Sequence, residues 1–174
     1  MAVRELVLCG DKRLRIKCEK VKKITKSVKD LITDLCDTLE AANGLGLAAP
    51  QIGSSKSVAV IDLSKMKENV KLILINPVIE KRYGPKELFS EGCLSIPELF
   101  TEVSRPTIID LKYDNQDGQQ VSIKGISGLT ARVVQHEVDH LNGILFIDHL
   151  SAEEKQKHQT IIDAIKNKSK MAAL

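Results

Sequence analysis

The 174-residue sequence predicts an α+β fold in a single domain, residues 1–174. Three observations predict it. Helical and strand-like segments do not alternate as regular pairs, which argues against a doubly wound parallel sheet. The strand-like runs gather between residues 57 and 125, and two of them flank a strong turn signal, as antiparallel neighbours do. A helical segment follows them in which apolar and histidine side chains share one face, so that it belongs inside. The expected architecture is therefore a set of antiparallel strands wrapped around a central helix, with an N-terminal and a C-terminal helix.

The first element is a helix. Ser27-Val28-Lys29-Asp30 reads as a capping box, and Val28, Leu31, Ile32, Leu35 and Leu39 recur at helical spacing. Asn43-Gly44 supplies a left-handed end. Residues 44–49, GLGLAA, match the loose dinucleotide-loop pattern G-x-G-x-x-A. That pattern needs a strand before it and a helix after it. Here a helix precedes and Pro50 follows, so nucleotide binding is set aside. Two readings stay open: an extended glycine loop whose backbone another chain can approach closely, or a plain helix-to-strand turn. Strands follow in SVAVIDL (57–63) and VKLILINP (70–77). TIIDLKY (107–113) and QQVSIKG (119–125) flank NQDG and predict a hairpin. A second helix is expected over 127–142, with Gly143 beyond its end. Ser151-Ala152-Glu153-Glu154 is another capping box and opens a third helix, with Ile161, Ile162 and Ile165 on one side. The tail from about residue 167 to residue 174 is expected to fray.

Composition narrows the function classes. Hydrophobic residues are 43% and charged residues 28%, an ordinary globular balance. Aromatics are only 3%, with no Trp, which leaves little to stack on single-stranded nucleic acid. A net charge of +3 is too small to argue for duplex binding, and no sequence-specific nucleic-acid contact is expected. Lysine and arginine crowd residues 12–29 and reappear along 155–170. These segments are either solvated faces or a docking surface for a large anionic partner. The start shows no charged-then-apolar leader, and the apolar runs, such as LILI at 72–75, are too short to cross a bilayer. A cytoplasmic protein with no membrane partner is expected, its four cysteines being thiols.

The chemistry-bearing stretch is QHEVDH (135–140). His136 and His140, at i and i+4, project from one side of a helix and can meet one ion. Glu137 is turned about 100° away and can reach a water on that ion without being a ligand. That suits a proton acceptor that later returns the proton to a leaving amine. The alternative is a helix that happens to carry two surface histidines. Leu129 and Val133 share the face of His136 and His140, which favours an interior position. Two histidines leave a tetrahedral site incomplete. His149 and His158 lie downstream, but neither has a motif around it, and both read as solvated. Cys93, in EGCLSIP (91–97), follows Gly92 and precedes extended chain. It is either a thiolate ligand or a small buried hydrophobe.

GLGLAAPQIG (44–53), EGCLSIP (91–97) and QHEVDH (135–140), in this order and spacing, resemble the three signature motifs of the peptide deformylases. LINP (74–77) and LNGILF (141–146) fit as well, so the resemblance covers nearly the whole chain. It implies a Cys93–His136–His140 ligand set with the fourth position open to water. It implies one divalent ion per chain, Fe²⁺ being native in many members, with Zn²⁺, Ni²⁺ or Co²⁺ able to use the same ligands. It implies a bacterial cytoplasmic enzyme that removes the formyl group from N-formylmethionine of nascent polypeptides.

The roles that follow from the resemblance are specific. Glu137 carries the proton. The Gln51 side-chain amide and the Leu94 backbone N–H hold the developing oxyanion. Gly46 offers backbone groups to the substrate as one strand does to another. Gly44, Leu129, Val133 and the segment after Pro97 are expected to wall the methionine side chain. Some relatives carry a basic residue where this chain has Leu99-Phe100, so Phe100 is read as an apolar wall. Arg105 is expected to pair with Asp139 or Glu91, either in support of the site or as an ordinary surface ion pair. The basic C-terminal helix is a candidate contact with the ribosome. Three rivals remain: a zinc peptidase, which Cys93 disfavours; a structural metal domain, which lacks a fourth ligand; and a basic nucleic-acid-binding protein, which leaves the HExxH motif unexplained.

Overall fold

The computed structural model describes residues 2–172, with side chains through residue 169. Helix α1 spans Lys26–Ala41 and buries Val28, Ile32, Leu35 and Leu39 along one face, as their spacing predicts. Its start departs from the expected capping box. Thr25 is the N-cap, and Ser27 falls inside the first turn. The Thr25 carbonyl accepts the Val28 and Lys29 N–H groups, and Asp30 pairs with Lys26 at 2.8 Å, so the box does not close. At the far end Asn43 adopts φ +54°. The Gly44 N–H then reaches the Leu39 carbonyl and the Asn43 N–H reaches Glu40, which satisfies the last-turn acceptors. Asparagine takes the left-handed position. Glycine at 44 answers to space, since a Cβ there would lie 2.8 Å from Leu39 Cδ1.

Strands β1 (Gly46–Ala48), β2 (Val58–Asp62), β3 (Lys71–Cys93), β4 (Ile96–Asp114) and β5 (Gln120–Ile126) form one sheet in sequence order. Every neighbouring pair is antiparallel. The β4–β5 hairpin lies where the NQDG turn places it. The expected strand at 70–77 is only the beginning of β3. Pro77 and the charged run after it hid the remainder. Asn76, at φ +53°, and Pro77 sit at a register shift between Ile75 and Val78, where a missing N–H is tolerated. Residues 80–90 are all exposed, so no alternating pattern marks them as strand.

Helix α2 (Gly128–Leu141) lies against this sheet. Ala131, Val134 and Val138 pack with Ile61, Leu74, Ile109 and Leu111. Ten of its fourteen residues are buried, which makes it a core helix rather than a surface one. A separate core cluster joins Val7, Leu14, Phe146, Ile162 and Ile165.

The expected third helix is two helices, α3 (Ala152–Lys157) and α4 (Gln159–Ala172). The Ser151 hydroxyl does cap α3, accepting the Glu154 N–H at 3.1 Å. The break falls at His158, whose N–H bonds back to Glu154 and Lys155 while its own carbonyl accepts Ile162. KQKH at 155–158 contains neither glycine nor proline, so nothing in the sequence announces it. Helix α4 continues to Ala172, where fraying from about residue 167 was expected. Residues 173 and 174 lie outside the described residues. The four cysteines are free thiols. Among the described residues no helix is long and apolar enough to cross a membrane.

Candidate metal centre

Two elements deliver the ligand candidates. The tight turn between β3 and β4, with Cys93 opposite Ile96, presents the thiol. Helix α2 presents His136 and His140, whose ring centroids lie 5.0 Å apart. Ligand atoms of Cys93, His136 and His140 all lie within 4.8 Å of one another. Cys93 Sγ is 3.2 Å from His140 Nε2. His136 donates from Nδ1 to Glu91 at 3.0 Å, which turns its Nε2 away from that carboxylate. The Phe146 ring stacks on His136 at 6.0 Å.

The electrostatics suit a cation. Burial raises the pKa of Cys93, but the charge of His140 and hydrogen bonds with both imidazoles outweigh it and bring the thiol down to about 5. Burial would lower His136, yet its bonds to Cys93 and Glu91 raise it to about 10. Raised basicity at His136 and a lowered thiol at Cys93 both favour positive charge beside the sulfur, which a divalent ion would supply. One thiolate and two imidazoles suit borderline metals such as zinc or ferrous iron. Among the described residues the cluster has three members, so a bound ion would keep a coordination position open. The buried His140 Nδ1 and Glu137 Oε2 atoms have no hydrogen-bond partner. The donor set fits one metal ion.

Glu137 lies beside this cluster and is 3% exposed. Burial pushes its carboxyl up to about 7, against the pull of the two histidines. It rests against Gly46 so closely that a Cβ there would stand 2.5 Å from Glu137 Oε1. The dinucleotide reading of GLGLAA has no support: Gly46 begins edge strand β1, and its missing side chain makes room for a carboxylate. Gln51 is held by accepting the Ala48 N–H at 2.8 Å, and its amide nitrogen donates toward Ser95 at 3.2 Å and Cys93 Sγ at 3.6 Å.

A cavity of about 340 Å³ joins these groups. Gly44, Gly46, Gln51, Cys93, Leu94, Leu129, Val133, His136 and Glu137 all line it, and so does Phe100. His140 lies behind the wall, 1% exposed. Phe100 is seated on Gly92, where a Cβ would meet its ring at 2.4 Å. His158 lies away from this cavity on the outer helices, 3.9 Å from Glu154.

The reading of Arg105 as a surface ion pair is overturned, because Arg105, Glu91 and Asp139 are all buried. Arg105 forks onto both Glu91 oxygens at 2.7 and 3.0 Å and reaches Asp139 at 2.6 Å. His149, read from sequence as solvated, donates from Nε2 to Asp139 at 2.7 Å and extends the network toward the surface. Burial raises Glu91, but its bonds to His136 and Arg105 prevail and hold it at about 2, ionised and able to orient the imidazole.

Sequence reasoning also missed Glu68. Ser127 occupies the N-cap of α2 without a side-chain cap bond. Glu68, from the β2–β3 loop, accepts the Leu129 and Thr130 N–H groups at 2.8 Å each, and the Thr130 hydroxyl as well. A carboxylate at a helix N-terminus is favourable. No local pattern could reveal it, since the cap lies about sixty residues away in the chain.

The family model for polypeptide deformylases matches residues 3–156. A peptide deformylase of Thermomicrobium roseum is 45% identical over 155 residues, covering 86% of this chain and 87% of that protein. One of Afipia carboxidovorans is 40% identical over 174 residues, covering 99% of each. The crystal structure of a Legionella pneumophila peptide deformylase superposes with a TM-score of 0.86 at 37% identity, covering 95% of this chain and 96% of the other. A plant peptide deformylase superposes at 0.90 with 31% identity, covering 98% and 94%. The chain belongs to the polypeptide deformylase family.

Proposed function

We propose that this protein hydrolyses the N-terminal formyl group of N-formylmethionine on newly made polypeptides and releases formate. The observation that carries the reading is the buried Glu137 carboxylate, unpartnered at Oε2, facing the same cavity as the Cys93 and His136 ligand candidates. A divalent ion held by Cys93, His136 and His140 would supply Lewis-acid polarisation of the formyl carbonyl and make water more acidic. Glu137, its carboxyl raised to about 7, takes the proton of the attacking water and returns it to the departing methionine nitrogen. The Gln51 amide and the Leu94 N–H hold the negative charge that develops on the formyl oxygen. Gly46, on the free edge of the sheet, offers its backbone to the peptide as an added strand. Gly44, Leu129 and Val133 wall the methionine side chain.

Fe²⁺ is the native ion in this reading, and Zn²⁺, Ni²⁺ or Co²⁺ occupy the same ligands. The enzyme works in the bacterial cytoplasm, and its basic outer helices α3 and α4 meet the ribosome. Unchanged co-sedimentation with ribosomes after deletion of residues 155–174 would remove that contact. The activity is tested by formate release from a short N-formyl-Met peptide, using protein purified anaerobically with Fe²⁺ or Ni²⁺. Wild type should release formate and folded, metal-loaded Glu137→Gln should not. A metal-loaded, folded wild type that releases none refutes the reading.

A further inference from the structure

One side of the active cavity is closed by residues outside the ligand set. The Arg132 guanidinium carbon lies 5.7 Å from the centroid of the Phe89 ring. Arg132 is pinned there by three acceptors. Its Nη1 donates to Glu91 Oε1 at 3.1 Å and to the Val103 carbonyl at 2.9 Å, and its Nη2 donates to the Glu87 carbonyl at 2.9 Å. Moving it would strip hydrogen bonds from all three, including a buried carboxylate. Beyond this stack lies a second cavity of about 420 Å³, walled by Pro106, Thr107 and Ile108. Phe89, Leu129 and Arg132 line both cavities. The stack and Leu129 are therefore the partition between them.

We propose that the Phe89–Arg132 stack sets the longest N-terminal side chain the enzyme accepts, by separating the substrate cavity from the space behind it. The inference rests on the deformylase reading above and adds a specificity-determining pair to it. The first cavity ends on a guanidinium held by three hydrogen bonds, with the half-exposed Phe89 ring stacked on it. A longer unbranched side chain must overpack or displace the stack, and both are unfavourable. Without the Phe89 ring, the same side chain can run on into the second cavity.

The test compares kcat/KM for N-formyl peptides whose first residue is methionine, norleucine, or norleucine lengthened by two and by four methylenes. In wild type the longer residues should fall behind methionine by on the order of ten-fold or more. Phe89→Ala should raise the long-to-methionine ratio by about ten-fold or more. Arg132→Lys, which keeps the charge but not the three-acceptor fork, should shift the ratio in the same direction. Leu88→Ala is the control: Leu88 is on the same strand, 63% exposed, and lines neither cavity. Its profile should follow wild type. Calorimetric binding of the deformylated product peptides reads the same preference without catalysis. Profiles for Phe89→Ala and Arg132→Lys that superimpose on wild type would overturn the proposal. An inactive wild type would refute the deformylase reading, while the product-binding profile would still decide the partition.

Discussion

Arg105→Met tests how much the buried charge network supports the site. Arg105 is 3% exposed, and Glu91 and Asp139 are each 6% exposed. Losing the guanidinium leaves two buried carboxylates short of their main counter-charge, which typically costs about 3–5 kcal/mol. The low end applies here, because Glu91 keeps Arg132 and His136 while Asp139 keeps His149. For a chain of this size about 3 kcal/mol corresponds to a fall in Tm of about 6–12 °C. The same loss removes the two-point clamp on Glu91, which orients the ring of His136, so metal affinity should drop about 10- to 100-fold. Urea unfolding of the metal-loaded protein reads the first effect, and competition with a chelator reads the second. The triple variant Arg105→Met, Glu91→Gln, Asp139→Asn should regain part of the lost stability, because both buried carboxylate charges go with the guanidinium, and Arg132, which loses a carboxylate partner, is held also by two carbonyls. A shift below about 2 °C for the single variant, or a triple variant no better than the single, would refute the reasoning.

Two further substitutions probe the frame around Glu137. Gly46→Ala places a Cβ 2.5 Å from Glu137 Oε1 and 2.8 Å from Val133 Cγ1. Displacing the carboxylate by this much should lower kcat about 100-fold while costing about 1–3 kcal/mol of stability, and an unchanged kcat would show that Glu137 need not sit against the strand. Glu68→Ala removes the distant cap of α2 and should cost about 1 kcal/mol at pH 7, measured by urea unfolding. Burial opposes ionisation of Glu68, but the hydrogen bonds from Thr130 and Leu129 together prevail and lower its pKa. Its contribution is therefore present above the unfolded carboxylate range, about pH 4.3, and is lost as pH falls below it. The stability gap between wild type and Glu68→Ala should narrow between pH 6 and pH 3 (on the order of that window), and a gap independent of pH would contradict the cap.

Local periodicity carried much of this fold. The apolar steps of α1, the hairpin around NQDG and the face shared by Val133, His136 and His140 are properties of adjacent residues, so they can be read from the sequence before any tertiary contact is known. The candidate ligand set was half legible in the same way. The i,i+4 histidines follow from helix geometry, whereas Cys93 came from the motif resemblance. The structure now brings its sulfur within 3.2 Å of His140. What stayed hidden involves residues far apart in the chain. Strand β3 is held through its exposed, charged stretch by pairing with β4, whose buried positions alternate over 99–105 through polar as well as apolar residues. Glu68 caps a helix from another loop. For Arg105 the sequence left two readings open, a support of the site or a surface ion pair, and only the burial of both carboxylates with it decided between them. Phe89 and Arg132 carry no motif, and only their packing makes them a wall. The sequence by itself marked the first two helices, the hairpin and the candidate side chains for the chemistry, because those depend on intrinsic spacing and residue type. Tertiary structure alone decided the shape of the cavity, the ionisation of Glu91, Cys93 and Glu137, and the partner of each buried charge, because those depend on distance and desolvation between segments that the chain order does not relate.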